Sequence, residues 1–476
     1  MLAFWSGGFF DRPRLIALIV TWALVGAGAA LTPRPLPGGA GLVAIVALAA
    51  LAGWIALSSG WAPLGERVQA ELERALLYLG GLVAVAMLFR ARPAARAVEP
   101  ALAAGALVMI SYGLSGRLLP SLIHLHESVS AGGRLEQPLT YWNATGALAA
   151  MGFVLCARLS GDLTRTAALR VVAAASAVPL GLGAYLSFSR GALGALVIGL
   201  AVLLRLCPGW AQVRGVMLVL EGAVVTTLVC AHLPGVASLA GDAASRQSDG
   251  TTALLVLVVV MLLVAVVQAR ACRDEHRGRL RVDGLALPRP AARLATVAIV
   301  TLVIAPIALT GADRSPQTAA PAFGAAPSRL ATVGSNRYAY WRVAVSTLAE
   351  HPLRGAGAGS FAAQWLRQRT IDETVRDAHS LELQTAAELG LVGLGLLVLA
   401  LGAVASCARR AWRRDAALAC GPCAALAAWA VHSAIDWDWQ MPALTLVAVV
   451  LAGTLLAAAG APGRSHFRAE LDLSMP

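Results

Sequence analysis

Residues 252 to 269 read TALLVLVVVMLLVAVVQA, a run of 18 residues without a charged side chain. A helix of that length nearly spans the hydrocarbon core of a bilayer, which requires roughly 20 apolar residues. Similar runs recur along the 476 residues, of which 58% are hydrophobic and 13% are charged, and the mean hydropathy is +0.71. A soluble domain could not bury so much apolar surface. The sequence therefore predicts an all-α, polytopic membrane protein.

The apolar runs predict about 12 to 13 transmembrane helices. They cover residues 14 to 31, 40 to 58, 74 to 89, 98 to 116, 141 to 157, 167 to 187, 191 to 206, 215 to 232, 252 to 269, 294 to 311, 389 to 407, 416 to 433 and 441 to 460. One large polar loop separates the tenth run from the eleventh. We therefore divide the chain into an N-terminal transmembrane region (1–311), an external loop (312–388) and a C-terminal transmembrane region with a short cytoplasmic tail (389–476).

The arginine-rich loops predict which side of the membrane each segment occupies. They lie at residues 90 to 96, 158 to 165, 205 to 214, 270 to 293 and 409 to 414, and the positive-inside rule places them in the cytoplasm. The net charge of +12 thus indicates membrane orientation and not nucleic-acid binding. The large loop is then external. One conflict arises, because thirteen spans put the N-terminus outside although Arg12 and Arg14 favour the inside. We expect a span near the N-terminus to be split, re-entrant or merged.

The seven cysteines predict no disulfide, because they fall mostly in or at the ends of apolar runs, where a thiol behaves as a small hydrophobe. Cys420-Gly-Pro-Cys423 has the spacing of a redox dithiol. It begins an apolar helix, however, and no βαβ pattern surrounds it. Packing is the interpretation that we favour for this pair.

The polar loop ends in residues 335 to 390, which read SNRYAYWRVAVSTLAEHPLRGAGAGSFAAQWLRQRTIDETVRDAHSLELQTAAELG. From Arg337 to Ala349 the pattern favours a helix that presents Arg337 with Trp341 on one face and Tyr338 with Arg342 on another. Cations and flat aromatic rings are therefore presented together.

Pro352 cannot continue that helix, and the glycines of residues 355 to 359 permit a tight turn or a close approach of the backbone to a ligand. A second helix is predicted from near Ala378 into the next membrane run. It would place His379 just above the bilayer.

Four short motifs follow one another in this loop. They are Arg-x-x-x-Trp at residues 337–341, Pro-x-x-Gly-x-Gly-x-Gly at residues 352–359, Ala-His-Ser at residues 378–380 and Glu-x-Gly at residues 388–390. In this order, between membrane helices, they resemble the large external loop of the O-antigen ligase and O-antigen polymerase (Wzy-type) family. Those proteins are integral membrane glycosyltransferases that take glycans from a polyprenyl diphosphate carrier.

The resemblance implies roles for two arginines. Arg190, in Ser-Arg-Gly between two apolar runs, matches the first arginine motif of the family, and Arg337 matches the second. Both are implied to bind the diphosphate of the carrier. An ionisable group at membrane depth is costly and is usually paired or functional. The alternatives are an Arg190 that reaches the lipid headgroups and an Arg337 that is solvated on the loop surface.

His379 is the candidate general base. The unperturbed pKa of imidazole, about 6.5, suits proton removal at neutral pH, and the resemblance implies a catalytic role for the Ala-His-Ser motif. A structural histidine that caps the next helix is the alternative. Glu382, one turn later, either orients the imidazole or is a solvated helix residue. For Glu388 a structural role at the membrane boundary is expected.

Tyr338, Trp341 and Arg342 are candidate substrate-binding residues beside Arg337. Asn143, behind Tyr141-Trp142 at an external boundary, is another, although an aromatic belt explains Trp142. A further external turn, Asp436-Trp437-Asp438-Trp439, offers two carboxylates and two rings. A metal pair is conceivable there, but we expect belt tryptophans with solvated acids.

The resemblance implies a glycosyltransferase of the bacterial inner membrane that works on the external face, inverts the anomeric configuration and needs no metal. Its partners would be a donor glycan linked to undecaprenyl diphosphate, a lipid, glycan or protein acceptor, and membrane lipids. No nucleotide or cofactor motif occurs, so no cofactor is predicted. The alternative is a transporter of bicarbonate or lipid-linked sugar. A transporter should carry ionisable residues near the midplane of several spans, and the apolar runs are almost free of charge.

Overall fold

A computed structural model describes residues 2–32, 36–277, 324–325, 330 and 335–460 of the chain. Within those residues the chain forms α-helices and short 3-10 helices, and no β-strand. The first ten α-helices are α1 (Asp11–Leu31), α2 (Ala40–Leu57), α3 (Gly65–Leu88), α4 (Arg92–Leu118), α5 (Trp142–Gly161), α6 (Ala167–Leu186), α7 (Arg190–Leu206), α8 (Trp210–Ala231), α9 (Pro234–Ala237) and α10 (Ala243–His276). The next five are α11 (Arg337–Glu350), α12 (Phe361–Gln368), α13 (Leu381–Arg414), α14 (Ala416–Ser433) and α15 (Pro442–Gly460).

Ten helices of the described residues are long and apolar enough to cross a membrane: α1, α2, α4, α5, α6, α8, α10, α13, α14 and α15. This is fewer than the predicted 12 to 13. Helices α3 and α7 coincide with predicted runs, but the first turns of α3 carry several charges and α7 has 17 residues. The predicted run at 294 to 311 lies outside the described residues.

Helix α5 forms the centre of the bundle, because its whole membrane-crossing stretch is buried. It packs against α4, α6, α7, α8 and α14. Small residues let these helices approach, since a Cβ built on Gly152 would lie 2.6 Å from the Cβ of Ala106 on α4. Such contacts are how helices pack in lipid, where no hydrophobic force drives them together. By contrast, only 11% of the corresponding stretch of α1 is buried, so α1 lies at the periphery.

The arginine-rich loops meet at one end of the bundle, in agreement with the predicted sidedness. Arg92, at the start of α4, pairs with Asp415, between α13 and α14, at 2.7 Å. Arg170 on α6 pairs at 2.6 Å with Glu275 near the end of α10, and Arg214 on α8 pairs with the same carboxylate. We call this the basic end of the bundle.

The N-terminal residues lie at the opposite end, where Gly7 packs against Met441 just before α15. Arg14 is only 1% exposed and forms ion pairs with Glu73 on α3 at 2.7 Å and with Asp11 at 2.6 Å. Its charge is therefore neutralised inside the protein. The expected split, re-entrant or merged span is not found in the described part of this region, because α1, α2, α3 and α4 are each one continuous helix.

The prediction that the cysteines form no disulfide is wrong for one pair. Cys207, just after α7, is bonded to Cys420 in the second turn of α14, with their Cα atoms 6.6 Å apart. The two residues are distant in sequence, so their approach depends on how α7 packs against α14. Cys423 is a half-buried thiol whose Sγ lies 3.9 Å from the carbonyl oxygen of Ala408. The Cys-Gly-Pro-Cys segment is thus not an internal dithiol pair.

Candidate active site

A cavity of about 560 Å³ lies at the end of the bundle opposite the basic end. Its walls are the turn before α5, the turn between α6 and α7, the start of α11, the segment 373–379 and the turn between α14 and α15. Among the described residues, four arginines and two carboxylates line it: Arg134, Arg190, Arg337, Arg376, Glu373 and Asp377. The excess of positive charge suits an anionic ligand.

Asp436, in the turn between α14 and α15, is the centre of the polar network beside the cavity. Its carboxylate is fully buried and accepts hydrogen bonds from the hydroxyl of Tyr141 at 2.7 Å and from Nδ2 of Asn143 at 2.8 Å. It also forms an ion pair with Arg337, on the first turn of α11. The expectation of solvated acids in this turn is therefore wrong, because Asp436 and Asp438 are both 0% exposed.

Arg337 and Asp436 each stabilise the charged form of the other. Burial, the largest single influence, would raise the pKa of the Asp436 carboxyl, but Arg337 together with the neighbouring histidines and the hydrogen bond from Tyr141 outweighs it and the pKa is lowered. Burial, again the largest single influence, would lower the pKa of Arg337, but Asp436 together with Tyr141 and Asp438 outweighs it and the pKa is raised. Arg337 thus stays charged at the wall of the cavity, with part of its guanidinium committed to Asp436.

Arg190 lines the same cavity from the turn between α6 and α7. It is the first residue of α7, and the hydroxyl of Ser189 caps that helix by accepting from the backbone N–H of Ala192 at 3.2 Å. Phe188, two residues earlier, has a left-handed backbone with φ of 48°, which turns the chain sharply from α6 into α7. The serine cap and this turn fix where Arg190 starts its helix.

His379 has a defined tautomer. Its Nδ1 lies 3.0 Å from the backbone carbonyl oxygen of Asp377. A carbonyl can only accept, so Nδ1 carries a proton, and in the neutral ring the lone pair is then on Nε2. The partner that orients the ring is thus a backbone carbonyl and not Glu382. An imidazole held in this way has the form that a general base requires.

Neighbouring aromatic residues fix the imidazole in place. The ring of Tyr340 lies 5.2 Å from that of His379 and the ring of Trp437 lies 6.4 Å from it, centroid to centroid. The indole N–H of Trp341 donates to the backbone carbonyl of His379 at 3.4 Å. Helix α13 is capped by Ser380, whose hydroxyl accepts from the N–H of Leu383 at 3.3 Å. His379 is therefore not the cap, which removes one structural explanation for it.

Backbone strain is concentrated at this cavity. Of the five described non-glycine residues with positive φ, three line it: Thr140, Phe188 and His379, with φ of 61°, 48° and 53°. A non-glycine residue rarely adopts this conformation, and it persists only where the surrounding structure imposes it. Strain at three separate walls of one cavity favours a functional site.

The five predicted substrate-binding residues are placed differently. Asn143 lines the cavity. Trp341 lies behind His379, as described. Tyr338 is 58% exposed, Arg342 is exposed, and Glu382 is half-buried on the first turn of α13. These last three are not among the described residues that form the cavity wall.

Sequence reasoning missed several residues of the site. Tyr340 lies on the predicted helix, but the sequence analysis names only its neighbours as candidate substrate-binding residues. Its hydroxyl donates to Glu373 at 2.7 Å, and its ring packs against the imidazole of His379. Gln384 gave no signal, although it accepts from the N–H of Ala378 and donates to the carboxylate of Asp377, both at 3.1 Å. It therefore holds the two residues that precede His379. Its position one turn inside α13 was the only clue.

The glycine turn at residues 355 to 359 supports the site from behind. Gly355, Gly357 and Gly359 all have positive φ. A Cβ on Gly355 would lie 2.3 Å from the backbone of Glu388, and one on Gly357 would lie 2.5 Å from Ala62. The close approach permitted by these glycines is therefore to the protein's own backbone and not to a ligand.

Glu388 has the expected structural role in this turn. Its carboxylate accepts from the N–H groups of Gly359 at 2.9 Å and Phe361 at 3.1 Å. Gly390, with φ of 66°, divides α13 into an outer segment and a membrane-crossing segment. The segment that leads into the glycine turn holds this kink, since the N–H of Leu391 donates to the carbonyl of Pro352 at 2.8 Å.

Comparison with known proteins gives one match. A sequence model of the family described as O-antigen ligase matches residues 247–398, which include Arg337 and His379. Arg190 and Asp436 lie outside the matched residues. No curated protein matches the chain. The resemblance of this chain to the O-antigen ligase family, predicted from four short motifs, is thereby confirmed over residues 247–398.

Proposed function

We propose that the protein is a membrane glycosyltransferase of the O-antigen ligase or polymerase type. It would move a glycan from a polyprenyl diphosphate carrier to an acceptor hydroxyl on the external face of the membrane. One observation carries the proposal: Arg190, Arg337 and His379 come from separate parts of the chain and line the same cavity. The family match over residues 247–398 supports the same class of enzyme.

The two arginines would bind the diphosphate of the donor. A guanidinium presents several N–H donors in a planar fork that matches phosphate oxygens. Arg337 is held by Asp436 at one wall, and Arg190 begins α7 at the other. Charge develops on the diphosphate as it leaves, and fixed cations that stabilise this charge lower the barrier.

His379 would take the proton of the acceptor. In the proposed step the acceptor hydroxyl oxygen attacks the anomeric carbon, and the bond from that carbon to the diphosphate oxygen breaks. The hydroxyl proton passes to Nε2 of His379, and the bonding electron pair leaves with the diphosphate. Attack from the face opposite the leaving group inverts the anomeric configuration. The activated donor supplies the energy, so the step needs no nucleotide.

The same residues serve a single transfer onto a lipid, glycan or protein acceptor and repeated transfer onto another carrier-linked chain. The proposal therefore covers both ligase and polymerase. The transporter alternative receives no support from the family match. The titratable groups that line the cavity lie at one end of the bundle and not at its midplane, where a transporter would need them.

The experiment is to delete the gene and analyse glycans that remain linked to undecaprenyl diphosphate by mass spectrometry. We expect these glycans to accumulate, and plasmid-borne wild-type protein to clear them. Arg190→Lys and Arg337→Lys keep the charge but lose the planar fork, so transfer should fall by about tenfold or more in each. Arg367→Lys, at an exposed arginine on α12, is the matched control and should behave as the wild type.

The absence of any lipid-linked glycan in the deletion strain would contradict the proposal. Full clearance by both lysine variants at wild-type expression would remove the arginines from the mechanism. The length distribution of the glycan on its acceptor then separates polymerase from ligase, because only a polymerase changes the number of repeats.

A further inference from the structure

A second histidine lies behind the cavity and belongs to no part of the mechanism so far. His432, in the last turn of α14, is 0% exposed, as is its partner Asp438. Its Nδ1 lies 2.9 Å and 2.7 Å from the two carboxylate oxygens of Asp438. Its Nε2 is buried and has no hydrogen-bond partner among the described residues. A buried polar atom without a partner is costly, so such a side chain calls for an explanation other than stability.

The free edge of the imidazole faces the start of α7. A Cβ built on Gly191 would lie 3.3 Å from Cδ2 and 3.4 Å from Nε2 of His432, and 3.0 Å from Cδ1 of Ile435. These distances are tight for a side-chain carbon, so the ring rests directly on the first turn of α7. That turn begins with Arg190. The position of the imidazole therefore sets how closely the backbone of Arg190 approaches α14.

The other edge of the imidazole holds the turn between α14 and α15. Asp438 is fixed in this turn by its backbone carbonyl, which accepts from the hydroxyl of Thr445 at 2.6 Å. Asp436, two residues earlier on the same turn, is the ion-pair partner of Arg337. The carboxylate that places Arg337 is thus carried by a turn that His432 anchors.

We propose that His432 and Asp438 form a positioning pair that sets the spacing between Arg190 and Arg337. One edge of a single imidazole contacts the helix start that carries Arg190, and the other edge anchors the turn that places Arg337. The inference rests on the proposed function, because the ligand that spans the two arginines is taken to be a diphosphate. A fixed spacing matters for such a ligand, since both guanidinium groups must reach it at the same time.

The test is the affinity of the purified full-length protein for undecaprenyl diphosphate in detergent, measured as Kd by calorimetric titration. His432→Ala removes both contacts and should raise Kd by about tenfold or more, as loss of a charge-assisted contact does. His432→Phe keeps a flat ring against Gly191 and loses the bond to Asp438, whereas His432→Asn keeps a donor for Asp438 and loses the ring. Both should give intermediate values. The control is His232→Ala, at an exposed histidine after α8, which should leave Kd unchanged.

The thermal unfolding midpoint Tm of each variant separates positioning from general stability. A structural role predicts that Kd rises only where Tm falls. If the pair positions the two arginines, His432→Phe should have a higher Kd than the wild type even when its Tm equals that of the wild type. Values of Kd within twofold of the wild type in all three His432 variants would overturn the inference.

Two reference variants distinguish failure of this inference from failure of the proposed function. Arg190→Lys and Arg337→Lys must themselves weaken binding of undecaprenyl diphosphate. If they do and the His432 variants do not, the positioning pair is wrong and the diphosphate site stands. If neither the lysine variants nor the His432 variants weaken binding, the proposed diphosphate site is wrong, and the proposed positioning pair is then wrong as well.

Discussion

At the scale of single residues, the site depends on side chains that hold other side chains. Arg337 faces the cavity because Asp436 binds it, and Asp436 is in turn bound by Tyr141 and Asn143. His379 has its tautomer fixed by a backbone carbonyl and its ring fixed by Tyr340. Groups that are held in place before the substrate binds need no reorganisation during the reaction.

The first prediction concerns His379. If it removes the acceptor proton, His379→Ala should lose roughly 10² to 10⁴ in turnover, while Kd for undecaprenyl diphosphate changes little because the arginines carry donor binding. The measurement is turnover with purified protein in liposomes. His351→Ala, at a histidine of the same loop outside the cavity wall, is the control. Near-normal turnover of a His379→Gln variant would exclude a general base at this position.

The second prediction concerns Asp436. Because its pKa is lowered in the folded protein, the pair with Arg337 stabilises the fold above the unfolded-state pKa of aspartate, near 3.9. This stabilisation is lost as the pH falls through the lower, folded-state pKa. Asp436→Asn leaves the half-buried Arg337 without this counter-charge, which should cost at most the roughly 3 to 5 kcal/mol of a fully buried pair at neutral pH.

The measurement for Asp436 is Tm as a function of pH in detergent, for the wild type and for Asp436→Asn. The difference in Tm between them should be constant near neutral pH and should shrink in acid. A difference that is zero at neutral pH would show that the charge of Asp436 adds nothing to stability there, contrary to the prediction.

At the scale of elements, the loop segment at residues 335 to 380 is joined to the bundle by the glycine turn at residues 355 to 359. The N–H of Gly359 binds the carboxylate of Glu388, and Gly357 lies against Ala62 beyond α2. The segment that carries His379 leads directly into the same helix, α13. The geometry of the site therefore depends on contacts that are remote from the cavity.

The third prediction is that the glycine turn tolerates no side chain. Gly355→Ala places a Cβ 2.3 Å from the backbone of Glu388 at a φ of 68°, so both sterics and backbone strain oppose it. We expect a loss of about 1 to 3 kcal/mol or more in stability, read as a lower Tm and a lower yield of folded protein. Gly194→Ala on α7, where a Cβ meets nothing within 4 Å, is the control. Equal Tm values for the two variants would contradict the role given to the turn.

At the scale of the whole molecule, the described helices form one bundle with a basic end and a cavity end. The ion pairs that join the arginine-rich loops, such as Arg92 with Asp415, lie at one end. Asp436 and the cavity lie at the other, because α14 and α15 connect the two ends directly. The chain path and the distribution of arginines together place the basic end and the cavity at opposite ends of the bundle.

The fourth prediction tests which end faces outward. Asp372, with a side chain 95% exposed in the loop, should react as cysteine with a membrane-impermeant maleimide on intact cells. Arg409→Cys, at an exposed position of the basic end, should react only after the membrane is opened. Gly357 is unsuitable for such labelling, because it is buried against Ala62. The reverse labelling pattern would show that the basic end faces outward and the cavity end faces the cytoplasm.

Much of the bundle could be predicted from sequence, because an apolar run in lipid must satisfy its backbone hydrogen bonds internally and so becomes a helix. Arg190, Arg337 and His379 followed from short motifs and the resemblance. Asp436 was misjudged because its burial depends on α11 and α5, far away in sequence, which no local pattern reveals. The pairing of Cys207 with Cys420 was missed for the same reason, since it depends on the packing of α7 on α14.

The pair formed by Arg14 and Glu73 has a consequence for biosynthesis. Glu73 lies 59 residues after Arg14, so α1 leaves the ribosome and meets the insertion machinery before the carboxylate of Glu73 has been made. During that interval only Asp11 is available to Arg14, and Arg12 together with Arg14 leaves the start of α1 with a net positive charge that draws it toward the cytoplasm. The finished protein holds the start of α1 at the cavity end, with Arg14 neutralised. The orientation of the first helix must therefore be settled late, after α3 has been synthesised, and a ribosome-bound chain truncated before Glu73 should show α1 in the opposite orientation.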